Sequence, residues 1–113
     1  MSSTLTNYLR THRRKAGFTQ NETAFLIGLK SANRVSRYEN LKRLPNLKTA
    51  FAYEVIFALP ARELFAGIFE AVEKETVKRA RELSKRFEKE HLNPALTRKI
   101  ELLRTIASRE SDQ

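Results

Sequence analysis

Two glycines, Gly17 and Gly28, bracket the segment FTQNETAFLI, and this spacing restricts the fold more than any other feature of the chain. Between them Thr19 is followed three residues later by Glu22. In such a capping box the threonine hydroxyl and the glutamate carboxylate each accept a hydrogen bond from an otherwise unpaired backbone N–H at a helix start. A helix begun at Thr19 and stopped by Gly28 has room for only about two turns. Gly17 stands where a preceding helix needs a left-handed residue to end. The chain is therefore expected to fold as short helices joined by tight turns.

The remaining breaks extend the pattern. A first helix is expected from Thr4 to Ala16, with Leu5, Leu9 and His12 or Arg13 on one face and Tyr8 beside them. In the second, Thr23, Leu26 and Ile27 form the inward face with Ala24. A third runs from Ser31 or Ala32 to Asn40 on a narrow apolar stripe of Ala32, Val35 and Tyr38. Pro45-Asn46 closes a loop, with Asn46 capping a fourth helix from Leu47 to Leu59. That helix is apolar around much of its circumference, which predicts a central place in the core. Pro60 opens a fifth, which continues into the charged segment EKETVKRARELSKRFEKEH along a thin stripe of Thr76, Ala80, Leu83 and Phe87. Asn93-Pro94 starts a last helix with Leu96, Ile100, Leu103 and Ala107 in line and Ile106 adjacent. With three Gly, three Pro and an abundance of Ala, Leu, Glu, Lys and Arg, the composition is helical throughout. The organisation expected is a helical domain over 1–70 and a helical extension over 71–113.

Little in the chain suits catalysis. There is no Cys, the only Asp is Asp112 in the tail, and His12 and His91 sit on a packed helix face and at a helix end. Glu70, Glu73 and Glu75 are interleaved with Lys74, Lys78 and Arg79, which is the pattern of a solvated face. No catalytic residue, metal site or cofactor is expected, and the protein is not expected to be an enzyme. The absence of cysteine and of an apolar leader or spanning stretch points to a cytoplasmic protein with no membrane role.

Charge gives the positive signal. Net charge is +9, and residues 1–45 hold nine Lys/Arg against two Glu, a net of +7. A one-sided basic field favours polyanions, nucleic acid first and anionic membrane second. The third helix carries Asn33, Arg34 and Arg37 away from its stripe, and Asn33 and Arg37, four apart, share a face. Such a helix suits the DNA major groove, where asparagine pairs with adenine and arginine with guanine.

Residues 4–59 resemble the helix-turn-helix domain of the lambda repressor and Cro family, also called XRE-like. The resemblance is carried by LRTHRRKAGFTQNETA, by Ile27-Gly28, by VSRYEN and by Leu44-Pro45. Arg13 stands four before Gly17, Thr19-Gln20 and Glu22 follow, and Pro45 lies six after Glu39. Two positions depart from the family pattern: LKSANRV makes the turn one residue longer, and Leu41 stands where the family usually has Gly.

The resemblance implies an all-α fold, a five-helix repressor-like domain followed by a C-terminal helical extension. It implies a sequence-specific transcriptional regulator, a repressor, that inserts its third helix into double-stranded DNA as a homodimer. By position, Gln20 would contact a phosphate, and Asn33 and Arg37 would reach base edges. Ser36 and Arg34 would lie near bases or phosphates, and Lys42 and Arg43 would grip the backbone. Arg13 and Glu39 would form a structural ion pair, with Ser31 as a cap. The extension is expected to serve dimerisation, unless its last helix only folds back on the one before. An alternative is an antitoxin-type protein whose C-terminal helices bind a protein partner.

Overall fold

The structure, a computed structural model, describes residues 7–109. Among these residues it is all-helical: α1 (Leu9–Ala16), α2 (Gln20–Ile27), α3 (Ala32–Glu39), α4 (Leu47–Phe57), α5 (Ala61–Leu64), α6 (Ala66–Phe87) and α7 (Pro94–Ser108). Contacts divide the chain into two compact units, 1–69 and 70–113, and the division falls within α6. No helix among the described residues is long and apolar enough to cross a membrane.

The helix starts are made by the expected side chains. Thr19 accepts from Glu22 N–H, Ser31 from Asn33, Asn46 from Thr49 and Asn93 from Leu96. Gly17 and Gly28 end α1 and α2 at φ 85° and 93°.

Three boundaries differ from the sequence expectation. α1 begins at Leu9, and the expected start at Thr4 lies outside the described residues. Asn7 and Tyr8 are not helical because their polar groups are used elsewhere. The Asn7 amide donates to the Tyr38 carbonyl at 3.0 Å, and Tyr8 N–H donates to the Leu64 carbonyl at 2.7 Å. α4 stops at Phe57, where Ala58 turns left-handed at φ 56°. The fifth helix is a single turn, and Phe65 (φ −115°, ψ 45°) separates it from α6. Phe65 and Leu64 are both buried in the core, so tertiary packing interrupts what the sequence pattern would continue.

The core of the first unit is Leu9, Tyr38, Tyr53, Leu64 and Phe65, with Ile27, Leu29, Ala50, Phe57, Leu59, Ala61 and Ile68 packed against it. Tyr53 meets Tyr38 and Phe65 edge-on and stacks on Phe57, with centroids 6.1–6.2 Å apart. The expectation that α4 is buried around its circumference is corrected: Thr49 and Tyr53 are buried, while Leu47, Phe51 and Val55 are exposed. Of the expected inward face of α2, Thr23 and Ala24 are buried and Ile27 packs against the core, whereas Leu26 is exposed. In the second unit α6 buries Val77 and Ala80, with Leu83 and Phe87 half-buried and Thr76 exposed. α7 buries Leu96 and Leu103. Within this unit the two helices run antiparallel: Arg109 Nε bonds Glu73 at 2.8 Å, and Lys99 lies over the Phe87 ring at 5.5 Å.

The Tyr53 hydroxyl is buried without a hydrogen-bond partner, and burial pushes its pKa up. An unmatched buried hydroxyl costs about 1–3 kcal/mol. Tyr53→Phe keeps the ring packing and removes that cost, so it is expected to raise stability by about 1 kcal/mol in urea denaturation. A destabilised variant would show that the hydroxyl has a partner in solution.

Candidate nucleic-acid interface

The geometry of α2, the turn and α3 follows from local chemistry. Thr19 Oγ1 accepts from Glu22 N–H at 3.0 Å, and Glu22 Oε1 accepts from Thr19 N–H at 2.9 Å. At the other end the N–H groups of Gly28 and Leu29 both return to the Ala24 carbonyl, at 2.9 and 2.8 Å. No neighbour would block a Cβ at Gly28, so glycine is needed there for its φ of +93° and not for space. The chain then crosses Leu29 and Lys30 to Ser31, which caps α3. Asn33 and Arg34 therefore fall in the first turn of α3.

α3 buries Val35 (0% exposed) and Tyr38 (2%) and presents Asn33, Arg34 and Arg37 to solvent. Asn33 and Arg37 share an arc away from the buried stripe, and Arg34, four residues before Tyr38, lies at the edge between the two. Ser36 is half-buried, and the Asn40 amide donates to its carbonyl at 3.0 Å and to its hydroxyl at 3.4 Å. Lys42 N–H bonds the Arg37 carbonyl at 2.9 Å, which ties the following loop to the end of α3 and sets exposed Lys42 and Arg43 beside it. Leu41, at the position where the resemblance expects Gly, takes the glycine-like conformation with φ 58°. A side chain in that region costs roughly 1–2 kcal/mol, so the turn geometry is kept despite the residue.

Behind α3 lies a polar network. Arg13 Nε and Nη2 meet the Glu39 carboxylate at 2.5 and 3.1 Å, and Arg13 Nη1 donates to the Phe18 carbonyl at 3.0 Å. Gln20 Nε2 donates to Glu39 Oε1 at 3.1 Å, and Arg10 Nε reaches the same oxygen at 3.4 Å. The Glu39 side chain is only 1% exposed. Burial alone would push its pKa up, but hydrogen bonds from Arg13 and Gln20 outweigh this and hold it below the ordinary value. The Arg13 pKa is raised, chiefly by its hydrogen bond to Glu39.

Gln20 is therefore not simply a surface donor. One hydrogen of its amide is taken by Glu39, and an amide nitrogen carries two, leaving a second for an outside acceptor. Sequence reasoning assigned no role to Arg10, Arg14, Asn21 or Lys30. Arg10, Arg14 and Asn21 line a polar depression with Gln20 and Thr19 at the start of α2. Lys30 lies with Arg34 around the turn. The signal for the first group was present in the spacing of Arg10, Arg13 and Arg14 along one helix. His12 lies beside Phe57, its ring tilted at 38° with centroids 6.1 Å apart. No acidic or histidine cluster suited to a metal occurs among the described residues.

The helix-turn-helix family model matches residues 9–64. Neither the curated proteins nor the solved structures compared with the chain gave a match.

Proposed function

Through residues 9–64 the chain belongs to the helix-turn-helix family of XRE-like DNA-binding regulators, and from that premise we propose that it is a sequence-specific repressor inserting α3 into the major groove as a homodimer. The observation that carries this reading is the two-sidedness of α3. Val35 and Tyr38 dock it on the core, while Asn33 and Arg37 stand exposed on an arc turned away from them and Arg34 is exposed at its edge. Asn33 and Arg37 read base edges, with Arg34 and Ser36 beside them. Gln20 uses its second amide hydrogen on a phosphate at the start of α2, where free backbone N–H groups add to the attraction. Lys42 and Arg43 grip the backbone on the far side of α3. A dimer seated on an operator blocks access to the promoter beneath it, which is the sense in which repression is proposed.

The test is selection of binding sites from a random duplex pool by the purified chain. The expected product is a palindrome whose half-sites lie about one helical turn, roughly 10 base pairs, apart. A pool that enriches no motif would defeat the sequence-specific reading, and a motif without two-fold symmetry would defeat the dimer.

A further inference from the structure

We propose that the outward ridge of α4 is the surface on which a second copy of this chain docks, two-fold symmetrically about Phe51. The inference rests on the dimer reading above and names the surface that makes the dimer. Leu44, Leu47, Phe51 and Val55 are 62%, 69%, 53% and 81% exposed. The three on α4 recur every four residues and form one ridge, on the side away from buried Thr49 and Tyr53. Contiguous exposed apolar surface of this kind marks an interaction site.

Three features select a second copy as the occupant. The first is shape. Rows of residues four apart packing between the same rows of another helix form the commonest class of helix pair. An antiparallel pair centred on Phe51 sets Phe51 against Phe51 of the other copy and Leu47 opposite its Val55. The ridge is thus complementary to itself, as a two-fold contact requires. The second is charge. The chain carries +9, so two copies repel over much of their surface, but residues 44–61 hold only Lys48 and Glu54, a net of zero. Copies can meet there without bringing like charge together, whereas an acidic partner would be drawn to the basic first half. The third is that, among the described residues of the extension, Val77, Ala80, Leu96 and Leu103 are already buried, and the exposed Val72, Leu92 and Leu102 lie on α6, the linker and α7 and form no single helix row.

Sedimentation of the full chain without DNA tests the surface separately from the DNA reading. The wild type is expected at twice its 13.1 kDa chain mass. Phe51→Glu, and separately Val55→Glu, are expected to weaken self-association by roughly 100-fold or more with an unchanged helical signal, the thermal midpoint falling only by what the dimer contributes. Leu102→Glu on α7, where Leu102 is 63% exposed, is expected to remain dimeric. Because the chain contains no cysteine, Phe51→Cys gives a second readout: a mild oxidant should link it into a covalent dimer, and should not link Leu102→Cys. A monomeric wild type at ~100 µM, a dimeric Phe51→Glu, or a monomeric Leu102→Glu would each overturn the surface. A dimer that selects no DNA sequence would overturn the DNA reading and leave the surface standing.

Discussion

Arg13→Ala is expected to destabilise the protein by about 3–5 kcal/mol, the largest stability effect of any single change proposed for this chain. The reason is what it leaves behind. Glu39 has a side chain 1% exposed, and without Arg13 its carboxylate keeps only the Gln20 amide at 3.1 Å and Arg10 at 3.4 Å. An ionised group shut away from water with its main partner removed loses far more than the pair gained by forming. Against a total stability of about 5–15 kcal/mol, much of the folded population at 37 °C is at stake. At ~4–8 °C per kcal/mol, the thermal midpoint is expected to fall by tens of degrees. Replacing both partners with apolar residues, Arg13→Met with Glu39→Leu, is expected to recover most of the loss, because neither charge is then stranded. Thermal unfolding of the single and double variants measures this, and an Arg13→Ala protein within 1 kcal/mol of wild type would show that water reaches Glu39 freely. The same network sets a pH dependence. Glu39 has a folded pKa below the ordinary 4.5, so its contribution is complete above that value and is lost as pH falls through the lower, folded one. Glu39→Gln cannot titrate, so its stability is expected to vary less than that of wild type between pH 7 and pH 3.

Features encoded within a few residues of one another were legible in the sequence. The Thr19–Glu22 box, the Asn46 and Asn93 caps and the two glycine stops each depend on contacts spanning three or four positions, and each stands where the spacing puts it. The docking stripe of α3, Val35 and Tyr38, was legible for the same reason. What the spacing left open depends on distant partners. Phe65 breaks the fifth helix because the core holds it, and Asn7 leaves α1 because it bonds a carbonyl 31 residues away. The circumference of α4 could not be sorted into buried and exposed arcs, since apolarity says a residue can be covered and not by what. In the site, the exposure of Asn33, Arg34 and Arg37 followed from periodicity. The meeting of Arg13 with Glu39, 26 residues apart, has no local sequence signal and was suggested only by the family resemblance. The attachment of Gln20 to that same carboxylate was not suggested at all.

Two classes of substitution on the basic face are expected to separate in binding assays, and their separation tests the proposed division of roles. Affinity for an operator should fall by about 10³–10⁵ between 50 and 200 mM salt if six or more phosphates are neutralised, because each contact releases condensed counterions. Lys42 and Arg43 are exposed in a loop tied to the C-terminal end of α3, away from the first-turn position of Asn33. Lys42→Ala should therefore weaken operator and random DNA alike and lower the salt slope by about one. Arg37 lies in the middle of the exposed arc. Arg37→Ala should cost about 1–3 kcal/mol on the operator and relax discrimination at one base pair in each half-site. Asn33→Ala should behave similarly at a neighbouring position. Gln20→Ala falls between the classes, because its amide also donates to buried Glu39. It should reduce affinity without changing base preference and lower the thermal midpoint as well, a pairing that neither Lys42→Ala nor Arg37→Ala should show. Fluorescence anisotropy at several salt concentrations, on operator and on scrambled duplex, resolves all four variants. An Arg37→Ala protein with full operator discrimination would remove Arg37 from base reading. A Lys42→Ala protein with an unchanged salt slope would place the backbone contacts elsewhere, with Arg10, Arg14 and Lys30 the next cations to test.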